Sequence, residues 1–180
     1  NNIDCIPYDN ENLSEWRNAF KGIKWHDKKT NFIFFGGIDD VWINENGELH
    51  IVDYKATAKK TFNPNFNTGW EVCYKRQLEI YQWLFKNNGF KVSDIGYIIY
   101  ANGKSNEKKF GCNLTFDEYL YPLVCNTDWI DKVIQDIYKC LKSEELPKSG
   151  GGWNGEGCEQ CAYKKQLAKI MREHIEKDIK

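Results

Sequence analysis

Apolar and polar positions change period several times along the chain. Residues 11–20, ENLSEWRNAF, carry a weak helical pattern with Trp16 and Phe20 four apart. From Asn31 to Asn44 the run NFIFFGGIDDVWIN is rich in β-branched and aromatic residues and interrupted at Gly36-Gly37, as in a strand with a bend or bulge. Asn46-Gly47 is a hairpin-turn signal, and ELHIVDYKAT, from Glu48 to Thr57, reads as the antiparallel partner strand. Lys59 to Thr68, with Pro64 and several Asn, reads as a loop. From Trp70 to Asn88 the period becomes helical through Val72, Leu78, Tyr81 and Phe85, and Gly89 supplies a stop.

Asp94 to Ala101, DIGYIIYA, has the continuous apolar character of a buried central strand. Lys108 to Phe116 is a candidate for a further strand. Asp128 to Leu141 places Ile130, Val133, Ile134, Ile137 and Leu141 on one helical face. Pro147 to Gly157 is a glycine-rich loop, and a charged helix is expected to close the chain. This order predicts an α/β or α+β fold in which one central mixed sheet is flanked by helices. A chain of 180 residues is most simply one domain, 1–180, ending in a C-terminal segment, 147–180, that contains Cys158-Glu-Gln-Cys161. It opens on Asn1 rather than Met, as a fragment with an N-terminus further upstream would.

Composition changes this picture little. Apolar residues make up 41% of the chain and aromatics 15%, which suits a packed globular protein. Lys plus Arg (25) nearly balance Asp plus Glu (26), so no strong basic charge advertises a nucleic-acid partner, although a local patch can hide in such a sum. No apolar run approaches the ~20 residues of a membrane-spanning helix, and no secretory signal opens the chain. Seven cysteines, an odd and irregularly spaced set, fit a reduced cytoplasmic protein better than a disulfide-stapled secreted one. Cys73, Cys112, Cys125 and Cys140 read as packed thiols. Cys158 and Cys161 alone have the spacing of a zinc or iron–sulfur ligand pair.

The candidate chemistry lies on the hairpin. Asp39 stands about as far before the turn as Asp53 stands after it, so the two carboxylates can face each other across the ladder. Side chains two apart share a face, so Lys55 joins Asp53 while Tyr54 and Asp40 point the other way. Like charges opposed on a sheet are unfavourable unless a cation lies between them, and hard oxygen donors with room for water suit Mg²⁺ or Mn²⁺. A plain salt bridge to Asp53, or an edge strand with one wet face, explains the strand pattern equally well. Lys59, Lys60, Lys75 and Arg76 follow closely in sequence and are candidate phosphate contacts, although charged residues more often form a solvated face.

Gly36-Gly37-Ile38-Asp39 followed by Ile51-Val52-Asp53-Tyr54-Lys55 resembles the G-x-x-D and D-Y-K signature of RecB-like PD-(D/E)XK nucleases. Gln77-Leu78-Glu79-Ile80-Tyr81 matches the Q-x-x-x-Y helix motif of the same branch. The resemblance runs from about Phe35 to Tyr100 and implies a restriction-endonuclease-like core. It implies Asp39, Asp53 and the Tyr54 carbonyl as ligands of Mg²⁺ or Mn²⁺, with Lys55 orienting the attacking water or stabilising the scissile phosphate. Gln77 and Tyr81 would brace Lys55 or touch the strand, although Tyr81 alone reads as a core aromatic. The implied reaction is phosphodiester hydrolysis in DNA, at single strands or duplex ends, by an exonuclease of repair, recombination or defence.

Two features depart from the branch. Its further acid or His before the hairpin has only Glu11, Glu15 and His26 as candidates here, none of them well placed. Some relatives bind a 4Fe–4S cluster with one early and three late cysteines, whereas this chain offers Cys5, Cys158 and Cys161. A catalytically silent DNA-binding or scaffolding module of the same fold is therefore the alternative to the enzyme. A structural zinc fold with incidental acids is a third reading, which the combined motifs disfavour.

Overall fold

The structure, a computed structural model, describes residues 3–105, 111–147, 150 and 157–178. It divides into two compact units, residues 1–135 and 136–180. The elements in chain order are β1 (Cys5–Pro7), α1 (Leu13–Trp16), β2 (Ile23–Asp27), β3 (Phe32–Gly36), β4 (Asp40–Asn44), β5 (Leu49–Thr57), α2 (Val72–Asn87), β6 (Ile95–Gly103), β7 (Phe116–Val124), α3 (Asp128–Lys142) and α4 (Glu159–Asp178). Five strands form one mixed sheet in the order β1-β4-β5-β6-β7, while β2 and β3 make a separate hairpin. The fold is thus α/β, a mixed sheet with flanking helices, as the sequence pattern predicts.

Among the described strands β5 and β6 alone pair in parallel, and a parallel pair needs a long crossover, which α2 supplies. The crossover helix packs on the sheet through Leu78, Leu84 and Phe85, all fully buried, in one core cluster with Ile51 of β5 and Ile98 of β6. Trp16 closes the near end of this core, edge-on to Phe85 at 5.0 Å and to Phe90 at 5.4 Å. The five residues from Leu49 to Asp53 are buried, and the strand emerges into solvent from Tyr54 onward. The charged residues of β5 therefore sit where the central strand leaves the core, beside the C-terminal end of its parallel neighbour. Open α/β sheets characteristically bind ligands at such strand ends.

Three expectations need correction. The run Asn31–Asn44 is not one bent strand: β3 pairs with β2, β4 pairs with β5, and the Gly36-Gly37 break separates the two sheets. A Cβ on Gly36 would lie 2.6 Å from the Tyr81 ring, and one on Gly37 would lie 3.0 Å from the Ala19 backbone, so this crossing requires glycine. The later strand is Phe116–Val124, not Lys108–Phe116, of which 108–110 lie outside the described residues and 111–115 are not strand. Pro122 and the acids Asp117 and Glu118 obscure its pattern, and all three are tolerated because β7 is an edge strand. Finally, Cys125 is buried, but Cys112 and Cys140 are exposed: Cys112 lies in the loop before β7, and α3 is buried only at Ile130 and Ile134 near its start.

Candidate active site

The β4–β5 register positions the carboxylates. Asp40 pairs with Val52 and Val41 with Ile51, so one further step along the same register sets Asp39 opposite Asp53. The ladder ends there. In place of a backbone pair, the Tyr54 N–H donates to Asp39 Oδ2 at 2.8 Å. Asp53 is 2% exposed, and its Oδ2 has no hydrogen-bond partner among the described residues. Lys55 Nζ lies 2.5 Å from that oxygen as an ion pair. Burial raises the pKa of Asp53; Lys55 opposes the rise, and the negative charge of Asp39 adds to it.

One stripe of α2 builds the surroundings of Lys55. Its ammonium donates to Gln77 Oε1 at 3.2 Å and lies 4.7 Å from the centroid of the Tyr74 ring. The Gln77 amide donates in turn to Tyr81 Oη at 2.8 Å. Burial raises the Tyr81 pKa first of all, and Asp53 and Asp39 push it the same way, so its hydroxyl stays a neutral donor or acceptor beside two carboxylates. Residues 74, 77 and 81 recur at helical spacing and face the strand together. Gln77 and Tyr81 are legible from that spacing. Tyr74 fits the same stripe, but its contact with Lys55 has no sequence motif to announce it.

The opposite face of the hairpin is closed. Asp40, 7% exposed, accepts from Arg17 Nη2 at 2.5 Å, from Tyr54 Oη at 3.0 Å and from the Val41 N–H at 2.8 Å. Burial and the Asp40 hydrogen bond raise the Tyr54 pKa to about 12, so this phenol keeps its proton. Arg17 Nε also donates to the Asp39 carbonyl at 2.9 Å, which ties the end of α1 to the chain just ahead of β4. Nothing in the sequence singles out Arg17.

The remaining candidates lie apart from this cluster or outside it. Lys59 is exposed and ion-pairs with Glu71 at 3.4 Å, and Lys60 is exposed. Lys75 and Arg76 point away from Lys55 and line a cleft with Phe66, Glu79 and Trp129. Glu79, which sequence reasoning passes over, is buried and accepts from the Asn126 N–H and from Trp129 Nε1, an architectural role. Glu11 and Glu15 are exposed, and His26 Nε2 is engaged with Asn31 at 2.8 Å within the β2–β3 hairpin. In the second unit, Cys158 precedes α4 and Cys161 lies in its first turn; hydrogen bonds from Cys161 lower the Cys158 thiol pKa. Among the described residues no group of three or more His, Cys, Asp or Glu side chains could hold a metal ion.

The donor set nonetheless fits a hard divalent cation better than any other occupant. Asp39 and Asp53 would supply carboxylate oxygens and the Tyr54 carbonyl a third oxygen, and two carboxylates facing each other with one ammonium between them leave negative charge for a cation to offset. Mg²⁺ fits such a site because it keeps several waters and needs few protein ligands. A zinc site made of thiol and imidazole is not offered here.

One comparison places the chain in a superfamily. The family model of the PD-(D/E)XK nuclease superfamily matches residues 8–166, and the chain belongs to that superfamily. Its members are nucleases that generally use Mg²⁺ or Mn²⁺. Among curated proteins none matches the chain. Among solved structures, the "Crystal structure of SSO0001" is similar at 19% identity over 63% of this chain and 44% of that one, with a TM-score of 0.36. The chain thus spans less than half of that neighbour, and so distant a likeness adds nothing to the reading of the site. No helix among the described residues is long and apolar enough to cross a membrane.

Proposed function

We propose that this protein is a Mg²⁺- or Mn²⁺-dependent deoxyribonuclease of the RecB-like branch, acting as an exonuclease on single strands or duplex ends. One observation carries the reading: a buried carboxylate, Asp53, facing a second carboxylate, Asp39, with the Lys55 ammonium paired to its Oδ2. Burying such a group costs free energy that folding alone does not return. A bound divalent cation would polarise the scissile phosphate and lower the pKa of water at neutral pH. Asp39 and Asp53 would hold it, together with the Tyr54 carbonyl. Lys55, positioned by Gln77 and Tyr74, would place its ammonium against the phosphate oxygens on which charge accumulates during hydrolysis. Gln77 accepts from that lysine and donates in turn to Tyr81, which would brace it. Lys59 and Lys60 would follow the phosphate backbone away from the site, with Lys75 and Arg76 as a second basic segment.

The absence of a three-ligand acid or His cluster among the described residues favours a second reading, a silent DNA-binding module with the same fold. One experiment separates the two. Single-stranded and duplex DNA labelled at either end are incubated with the protein in Mg²⁺, in Mn²⁺ and in EDTA. Shortening from one labelled end that requires the metal is the expected result. Binding without cleavage in either metal selects the module, and RNA offered in parallel tests the sugar preference. A Cys158→Ser variant should melt earlier while its cleavage rate per folded molecule stays the same, and metal analysis of the purified protein would show whether zinc or iron accompanies the pair.

A further inference from the structure

The β2–β3 hairpin buries one face and leaves the other open. Ile23, Trp25, Phe32 and Phe34 alternate toward the core, whereas Lys24 stands opposite Phe35, and His26 opposite Ile33, on the outer face. Ile33 is 65% exposed and Phe35 56%, and Phe20, in the turn that leads into β2, is 92% exposed. Apolar side chains gathered in this way mark an interaction surface. The turn is fixed although its phenyl ring is in solvent, because the Phe20 and Lys21 N–H groups both donate to Asn18 Oδ1, at 2.9 and 3.2 Å.

This surface adjoins the candidate site. Gly22 lies against the Gly36 carbonyl and Ala19 against Gly37, with no room for a Cβ on either glycine, and the Ile38 N–H donates to the Trp16 carbonyl at 3.0 Å. Asp39 follows two residues after Gly37, and Gly36 faces the Tyr81 ring. From there the five paired residues of the hairpin run on for roughly 15 Å.

The charge of the hairpin has one sign. Residues 18–35 carry four lysines, Lys21, Lys24, Lys28 and Lys29, against one acid, Asp27, in a chain whose net charge is −1. Asp27 is folded into the turn, where it accepts from the Lys29 and Thr30 N–H groups and from Thr30 Oγ1. Lys21 and Lys24 form no ion pair among the described residues.

We propose that the outer face of this hairpin, with the Phe20 turn, is the track that holds single-stranded nucleic acid beside the site, its bases stacked on Phe20 and Phe35 and its phosphates on Lys21 and Lys24. This rests on the nuclease reading above and extends it to how the strand is held. Cations interleaved with exposed rings match the alternation of phosphate and base along an unpaired strand, and every base offers a π-face. A duplex would bring phosphates to the lysines and leave the rings uncovered, since its base faces are stacked on one another and only edges and backbone reach the protein. A second copy of the chain seated on the same face would set lysines against lysines.

The test titrates a short labelled single strand of DNA, and a blunt duplex of the same sequence, by fluorescence anisotropy in EDTA over a range of salt. Cleavage in Mg²⁺ and Mn²⁺ and sedimentation of the protein are followed alongside. Phe20→Ala and Phe35→Ala are each expected to weaken single-strand binding about 10-fold, the scale of one lost stacking contact, with duplex binding and melting temperature unchanged. Phe20→Tyr should recover most of the loss. Lys21→Gln combined with Lys24→Gln should lower the slope of log affinity against log salt by roughly 1.4, about 0.7 for each phosphate contact given up. If wild type binds and cleaves the single strand and both alanine variants bind it equally well, the track inference fails and the nuclease reading stands. If wild type binds but cleaves nothing in either metal, and the alanine variants lose binding, the nuclease reading fails and the track stands. Equal losses on single strand and duplex overturn the track, as does a wild-type dimer that Phe35→Ala separates without any change in DNA binding. A wild-type protein that neither binds nor cleaves either DNA overturns both.

Discussion

Asp39 and Asp40 are consecutive acids that enter the same hairpin, yet they face opposite environments. Asp40 turns to the side where Arg17, Tyr54 and the Val41 peptide together satisfy it, a closed arrangement that needs nothing from outside. Asp39 turns to the side of Asp53, a buried carboxylate with the Lys55 ammonium as its ion-pair partner, whose pKa is raised by burial and further by the charge of Asp39. Both sides hold a carboxylate, a cation and a tyrosine, so composition alone does not separate them. The distinction lies in satisfaction. Asp40 has three hydrogen-bond donors, whereas Asp53 shares one ammonium and faces a second carboxylate, an imbalance that points to a ligand.

The sharpest way to break that contrast is to remove one acid from each side. Asp39→Ala and Asp53→Ala are each expected to lower metal-dependent cleavage on the order of 10⁴-fold, as when one member of a set acting as a unit is lost. Circular dichroism should show the fold retained. Wild-type rates in either variant would take that residue out of the site. Lys55→Ala comes next, with an expected loss of about 10²–10³-fold, the scale for one positioned charge-stabilising group. Calorimetry should still detect divalent-metal binding in that variant. If metal binding vanishes with the lysine, its role is structural.

Asp40→Ala probes the closed side and should reverse the pattern. It strands Arg17 and Tyr54, and the expected cost is about 2 kcal/mol of stability, chiefly from the hydrogen bonds of a buried carboxylate. The ion pair with Arg17 adds little, since that arginine is half exposed. Cleavage per folded molecule should stay close to wild type, measured below the lowered melting temperature. A large loss of rate without loss of stability would make Asp40, not Asp39, the functional acid of the pair.

Much of this contrast is legible in the sequence, because it depends on local rules. Alternation along a strand places Asp53 and Lys55 together and Tyr54 apart, and the distance to the turn sets 39 opposite 53. Helical spacing joins Gln77 to Tyr81. What sequence does not show depends on partners chosen far along the chain. The pattern of Asn31–Asn44 cannot reveal that its two halves join different sheets, since each half is a good strand in either arrangement. Arg17 reaches the hairpin from a four-residue helix with no motif, and Tyr74 becomes relevant only once α2 is laid over β5. β7 is hard to see in the sequence because its proline and acids are penalised in a central strand but not at an edge.

The smallest expected effect runs opposite in sign to the others. Burial is the main cause of the raised Asp53 pKa, so the folded protein binds that proton more tightly than the unfolded chain does. Charged Asp53 therefore destabilises the metal-free fold. The penalty is absent below the ordinary carboxylate value of 3.8 and complete once pH exceeds the raised folded value. Asp53→Asn keeps the shape and removes the charge, so without metal at neutral pH it should melt about 2–4 °C above wild type, roughly 1 kcal/mol in a chain of this size. The gap should close as pH falls through the raised pKa, because wild type then becomes neutral at that position as well. Added Mg²⁺ should raise the melting temperature of wild type and not that of Asp53→Asn, since only the native carboxylate gains a ligand. A variant that melts below wild type in EDTA at neutral pH would show that the Lys55 contact outweighs the burial cost. Asp53 would then be as closed a site as Asp40, and the contrast between the two faces would be lost.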